Sequence, residues 1–174
     1  MIFKLFSLLI FAIIPHCAEC QPPLPYKVEN VSLSDLYGNS ISLPYFGKRV
    51  LFIFYIDPDT ALSGNKNIAY SEVIESSGVL SCDNIFGFGV LNLSDTLLPD
   101  RLIRSLTRRR TARNHGYVLV DSNRALANSW QLGDCNGKFC FMVVDTNGNM
   151  TYLEKNELTD LGLVELLEFV RKYW

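Results

Sequence analysis

The chain is poor in the residues that carry most side-chain chemistry. It holds 2 histidines, 3 methionines and 2 tryptophans in 174 residues. His16 lies in the amino-terminal segment treated below, which leaves His115 alone, with no second ligand at the spacing a metal site requires. No metal is expected. The sequence also lacks a Gly-x-Ser-x-Gly elbow, a phosphate-cradling glycine loop and a dinucleotide fingerprint. Those absences exclude the serine hydrolases, P-loop NTPases and nicotinamide dehydrogenases, and no cofactor is expected. Charge of one sign is lacking too. The formal net charge of -2 gives no global field to recruit nucleic acid or anionic lipid. No apolar run reaches the roughly 20 residues that span a bilayer.

What is present reads as one globular domain, with 48% hydrophobic and 20% charged residues. The first twenty residues stand apart. Lys4 precedes an apolar run from Leu5 to Ile14, Pro15 breaks it, and a short polar stretch leads to Gln21-Pro22-Pro23. That order is a secretory signal peptide covering residues 1–20, with cleavage after Cys20, and the mature chain is expected to be exported and soluble. Cys17 and Cys20 form a C-x-x-C that would leave with the signal. Cys82, Cys135 and Cys140 remain, an odd number that allows one bridge and one leftover thiol in an oxidising compartment.

Residues 21–48 read as a proline-rich lead-in followed by a hairpin, with strands at Val28–Leu33 and Ser40–Leu43 around Tyr37-Gly38-Asn39. Residues 49–174 read as the main domain. Val50 to Ile56 is continuously apolar, β-branched and aromatic, the pattern of a strand buried on both faces, and Asp57-Pro58-Asp59 ends it. A helix is predicted over Asn65 to Glu75 with Ile68, Ala69 and Val73 inward. A strand follows at Ile85–Leu93. Pro99 opens a second helix whose buried stripe is Leu98, Leu102, Ile103 and Leu106. A strand at Tyr117–Val120, a short helix at Arg124–Trp130, and strands at Phe139–Val144 and Met150–Leu153 around Asn147-Gly148 come next. The closing helix, Asp160 to Trp174, turns Leu163, Leu166, Leu167 and Val170 to the core. The order β-α-β-α-β-α-β-β-α implies a thioredoxin-like three-layer α/β sandwich: a mixed central sheet, helices on both faces and a short amino-terminal hairpin.

VLVDSNRALANSWQL at 118–132 and MVVDTNGNMTYLEKNELT at 142–159 resemble the YtfJ family of bacterial periplasmic proteins, with weaker support from VLFIFYIDPDTALSGNKN at 50–67. The resemblance implies a signal peptide, a thioredoxin-like domain and a periplasmic location. It implies no settled activity. The chain departs from the family pattern in GDCNGK at 133–138, a longer connection carrying Cys135 and followed closely by Cys140.

In a thioredoxin-type enzyme the reactive thiolate sits after the first long strand, at a helix amino terminus that lowers its pKa. Here that place holds Asp57, Asp59 and Thr60 and no sulfur, so thiol exchange there is absent and no catalytic residue is assigned. The three are either a partner-binding edge or plain helix-capping residues. Cys135 and Cys140 are either a structural disulfide or a displaced redox pair. Arg101, Arg104, Arg108 and Arg109, with Arg110 and Arg113, are either an anion-binding face or a solvated one. Three functions stay open: a non-catalytic binding or accessory protein, a thiol-disulfide or peroxide-handling protein using Cys135 and Cys140, and an anion-binding envelope factor. The partner is a protein or small molecule of the envelope, with no nucleic acid and no stable membrane insertion. Expressed in a Gram-negative host, the chain should appear in osmotic-shock fluid with its amino terminus near Gln21. Amino-terminal sequencing that finds Met1 on a cytosolic product overturns the export reading.

Overall fold

The computed structural model describes residues 21–174, and the expected signal peptide lies outside the described residues. The central strand is β4 (Val50–Ile56), counting from β1 (Tyr26–Lys27), β2 (Ser32–Ser34) and β3 (Ser40–Ser42). Its alternating side chains build two cores, one through Leu51, Ile53 and Tyr55 and the other through Val50, Phe52 and Phe54. Both faces are covered, which is why the segment carries no polar residue. β5 (Ile85–Asn92) pairs parallel to β4 on one side, and β7 (Phe139–Val144) pairs antiparallel on the other. β6 (Val118–Asp121) lies parallel to β5, and β8 (Asn149–Glu154) lies antiparallel to β7.

The hairpin and lead-in belong to the same sheet, whose order is β1-β8-β7-β4-β5-β6-β2-β3. The β2–β3 hairpin attaches through Ser34 opposite Val120, while β1 pairs with β8 at the far edge. One segment of about twenty residues therefore covers both edges of the sheet, which would otherwise present unpaired backbone groups. Twin carboxylates organise the two hairpin turns. Asp35 accepts from the Tyr37 and Asn39 backbone amides and the Asn39 side chain, and Asp145 accepts in the same way from Asn147 and Asn149.

Four longer elements and one turn complete the layers. α1 (Thr60–Ser63) is a single turn. α2 (Asn67–Ser76) and α5 (Asp160–Arg171) cover the Phe52 and Phe54 face with Ile74, Leu166 and Val170. α4 (Ala125–Ser129) covers the opposite face with Leu126 and Ala127. α3 (Asp100–Asn114) packs Ile103 against Leu91, Leu93 and Val120.

Two helical faces differ from expectation. α2 turns Ala69 and Val73 outward and buries Asn67, Ser71 and Ile74. The cause is Asn67, whose Nδ2 donates to the Phe139 and Asn156 carbonyls and whose Oδ1 accepts from Leu158 N, each at 2.9 Å. A polar anchor with every bond made costs little to bury, and it sets the helix rotation. In α3 the expected stripe is broken: Ile103 is 6% exposed, but Leu102 is 48% and Leu106 is 55%. The strand beside it has Gly87 and Gly89 on the facing side, so that helix spans a gap instead of packing a surface. Pro99 sits just before the first helical residue, not within the first turn.

Trp130 ties α4 to the lead-in. Fully buried, it donates from Nε1 to the Glu29 carbonyl at 2.8 Å and accepts the Tyr26 hydroxyl on its own carbonyl at 2.8 Å. Trp130→Ala should therefore destabilise the protein by about 3–5 kcal/mol, through an unfilled cavity and an orphaned carbonyl. Urea unfolding followed by circular dichroism measures it.

Candidate functional site at the carboxyl end of the central strand

β4 delivers the chain at Ile56 into a sharp reversal, and Asp57 follows with no exposed surface. Its Oδ1 accepts from Asp59 N at 2.9 Å and its Oδ2 from Gly137 N at 2.6 Å. The Asp57 amide in turn donates to the Lys138 carbonyl at 2.9 Å. One residue thus fastens the β4–α1 turn to the 133–138 loop. Gly137 stands at φ +62°, a conformation that glycine adopts without strain, and this aims its amide at the carboxylate. Burial pushes the Asp57 carboxyl up from its ordinary value, and the two amide donors pull the other way.

The neighbouring groups are also spent internally. Thr60 is buried and donates from Oγ1 to the Asp57 carbonyl at 2.6 Å. Asp59 accepts from the Thr96 hydroxyl at 2.8 Å and Leu97 N at 3.1 Å. Asp57, Asp59 and Thr60 tie the loops of this corner together; Asp57 and Thr60 are buried, and Asp59 is half-buried.

The structure brings Cys135 and Cys140 together as free thiols, both with no exposed surface. Each is the leading influence on the other's acidity, and the two influences are opposite in sign. The Cys140 thiol holds Cys135 below the ordinary thiol range, with help from the charges of Lys155, Lys138 and Arg124. Cys140 is pushed well up by Cys135 and by its burial. The cations are placed by the loop's own carbonyls: Lys155 donates to Leu132 O at 2.8 Å, Arg124 to Gly133 O at 3.1 Å and Lys138 to Asp134 O at 2.9 Å. Three successive carbonyls each hold one cation, which surrounds the buried dithiol with positive charge. Spacing alone identified the cysteine pair. Lys138 lies in the loop itself, between the cysteines, while Arg124 and Lys155 come from outside it and no local pattern marks them.

Beneath the pair lies Asp121, also without exposed surface. It accepts the Tyr55 hydroxyl at 3.1 Å and the first amides of α4, from Ala125 at 2.7 Å and Leu126 at 3.1 Å. Burial, and next the Asp121 charge, hold the Tyr55 hydroxyl far above its ordinary value. Asp121 was legible only as part of the VDSN phrase.

On α3, Arg101, Arg104 and Arg108 share one face by helical spacing. Arg104 is a structural tether, donating to Asp35 O at 2.7 Å and to the Ser34 and Ser122 hydroxyls. Arg108 stacks over the Tyr37 ring at 5.3 Å. Arg101 and Arg109 are exposed. Arg110, on another side of the helix, reaches Glu72 of α2 at 3.7 Å and lines a cleft of about 860 Å³ between the two helices. Pro58, Thr60 and Ala61 of the β4–α1 corner also line that cleft. Cys82 is half-buried in the α2 and α5 core, apart from the dithiol. Among the described residues no cluster of His, Cys, Asp or Glu is arranged to hold a metal ion, and no helix is long and apolar enough to cross a membrane.

No protein-family model and no curated protein matches the chain. Solved structures do. A candidate protein disulfide isomerase from Bacteroides thetaiotaomicron superposes with a TM-score of 0.58 at 11% identity, over 84% of this chain and 87% of that one. BsSco, a member of the Sco family of cytochrome c oxidase assembly proteins, gives 0.57 at 13% identity, over 89% and 97%. The exposed lipoprotein thioredoxin Etrx1 of Streptococcus pneumoniae gives 0.53 at 11% identity, over 81% and 99%. At these identities the likeness establishes the fold, which is thioredoxin-like.

The raised Asp57 carboxyl has a pH consequence. Its protonated form is favoured by folding, so its contribution to stability is fully present below the ordinary carboxylate pKa and is lost as pH rises through the raised one. The stability difference between wild type and Asp57→Asn should therefore fall across that window and be flat above it. Urea midpoints taken at a series of pH values check the sign.

Proposed function

We propose that this chain is an exported, non-catalytic binding or accessory protein of the YtfJ type, built on the thioredoxin-like fold and working in the periplasm. The carrying observation is the carboxyl end of β4, where a buried, doubly hydrogen-bonded carboxylate stands in place of a nucleophile. Thiol-disulfide exchange requires a thiolate that can reach the disulfide it attacks. Cys135 and Cys140 are both enclosed, which supports the non-catalytic reading. The surface left to a partner is the rim formed by Pro58 and Ala61, together with the cleft they border.

A second reading, a thiol-disulfide protein using Cys135 and Cys140, is favoured by one observation. The buried pair consists of one lowered and one raised thiol, with three cations nearby. That polarisation is what a nucleophile and its resolving partner require, and the enclosure opposes it.

An insulin-reduction assay separates the two. The purified protein should reduce insulin disulfides no faster than background, and in the native state its Cys135 and Cys140 should resist alkylation. Turnover that disappears in Cys140→Ser overturns the non-catalytic reading in favour of the second.

A further inference from the structure

A cleft of about 860 Å³ between α2 and α3 is left unexplained by the fold. Its floor is β5, and between Ile85 and Leu91 that face of the strand carries only glycine. Phe86, Phe88 and Val90 point into the opposite core, so Gly87 and Gly89 fall on the cleft side, where a side chain would otherwise fill the space. Leu80 leans over the first glycine, since a Cβ there would come within 2.8 Å of its Cδ1. At Gly89 a Cβ would meet only a Val118 methyl at 3.4 Å, an ordinary contact. Phe54, Ile56, Leu91 and Ile103 form the apolar walls.

Protein interiors leave few voids larger than a water molecule, because an unfilled apolar wall forfeits its dispersion contacts. An apolar cleft of about 860 Å³ falls within the size range of small-molecule sites and far outside that of packing defects. The two ends of the cleft differ. Toward the carboxyl end of α3 the lining becomes polar, with Arg110, Asn114 and His115. The acids near it are Glu72 and Glu75 of α2, and Arg110 is bound only by the long, exposed contact to Glu72. Such a pair contributes little and exchanges readily for a better anion.

We propose that this cleft is the ligand site of the binding protein inferred above, and that its ligand is an amphiphile with one long apolar chain and a small anionic head. The chain lies over Gly89 between Phe54 and Ile103, and the head meets the Arg110 guanidinium in place of Glu72. The site rests on the binding reading but uses none of the cysteines, so the two stand or fall separately.

Displacement of a fluorescent fatty acid, dansyl-undecanoate, tests it on the purified full chain. Lauric acid should displace the probe, and dodecanol should do so about tenfold less well. Arg110→Gln should erase that preference for the acid while leaving dodecanol binding unchanged. Gly89→Leu should weaken probe binding by at least about tenfold by filling the floor. Thr107→Trp, which fills the cleft from the exposed side of α3, provides the same readout without altering a strand. Circular dichroism verifies that each variant is folded. Absence of probe binding, or undiminished binding in a folded Thr107→Trp protein, overturns the proposal. If the probe fails and insulin is also left unreduced, the cleft assignment falls and the non-catalytic reading stands. If insulin is reduced, the non-catalytic reading falls whatever the probe does.

Discussion

The buried carboxylate of Asp121 is the constraint on which this corner of the molecule hangs. It ends β6, accepts the Tyr55 hydroxyl from the central strand and caps the opening amides of α4. A carboxylate without solvent survives only when its lone pairs are filled, and here four donors from two elements fill them, counting Ala127 N at 3.4 Å. α4 is too short to hold a position by its own propensity. Fixed at its start by Asp121, it places Trp130 beneath the lead-in and releases the 133–138 loop toward the end of β4. The cysteine pair, the Asp57 anchor and the edge-covering strand β1 all inherit their positions from that capping.

The same logic of satisfied burial governs the end of β4. A functional carboxylate or thiol keeps at least one face open to substrate. Asp57 has both oxygens engaged by backbone amides, Thr60 has its hydroxyl engaged by a carbonyl, and the two thiols have no exposed surface. What remains open is apolar: the mouth of the cleft beyond Pro58 and Ala61.

Much of the architecture was legible because it depends on local pattern. The apolar run at 50–56, the Asn147-Gly148 turn and the α5 stripe each state their structure within a few residues. The failures share a cause, which is that the deciding group lies on another element. Nothing within 65–75 says that Asn67 will find the Phe139 and Asn156 carbonyls, so apolar counting rotated α2 to the wrong face. Nothing within 98–106 says that the strand to be covered has glycines at 87 and 89. Leu102 and Leu106 follow a helical period and still stand in solvent, because periodicity records what a helix can offer and not what it meets.

The dithiol marks the same boundary from the other side. Residue spacing put Cys135 near Cys140 and left open whether they form a staple or a redox pair. The fold adds that the pair is enclosed, polarised and surrounded by Lys155, Lys138 and Arg124, each drawn in by a carbonyl of the 132–134 backbone. Those cations serve the loop first: consecutive carbonyls pointing outward from a tight connection need donors, and no secondary structure supplies them. Their effect on the Cys135 thiol follows from that placement. The lowering at Cys135 thus comes first from Cys140 and then from loop construction, and it becomes chemistry only where the loop also opens a path to solvent.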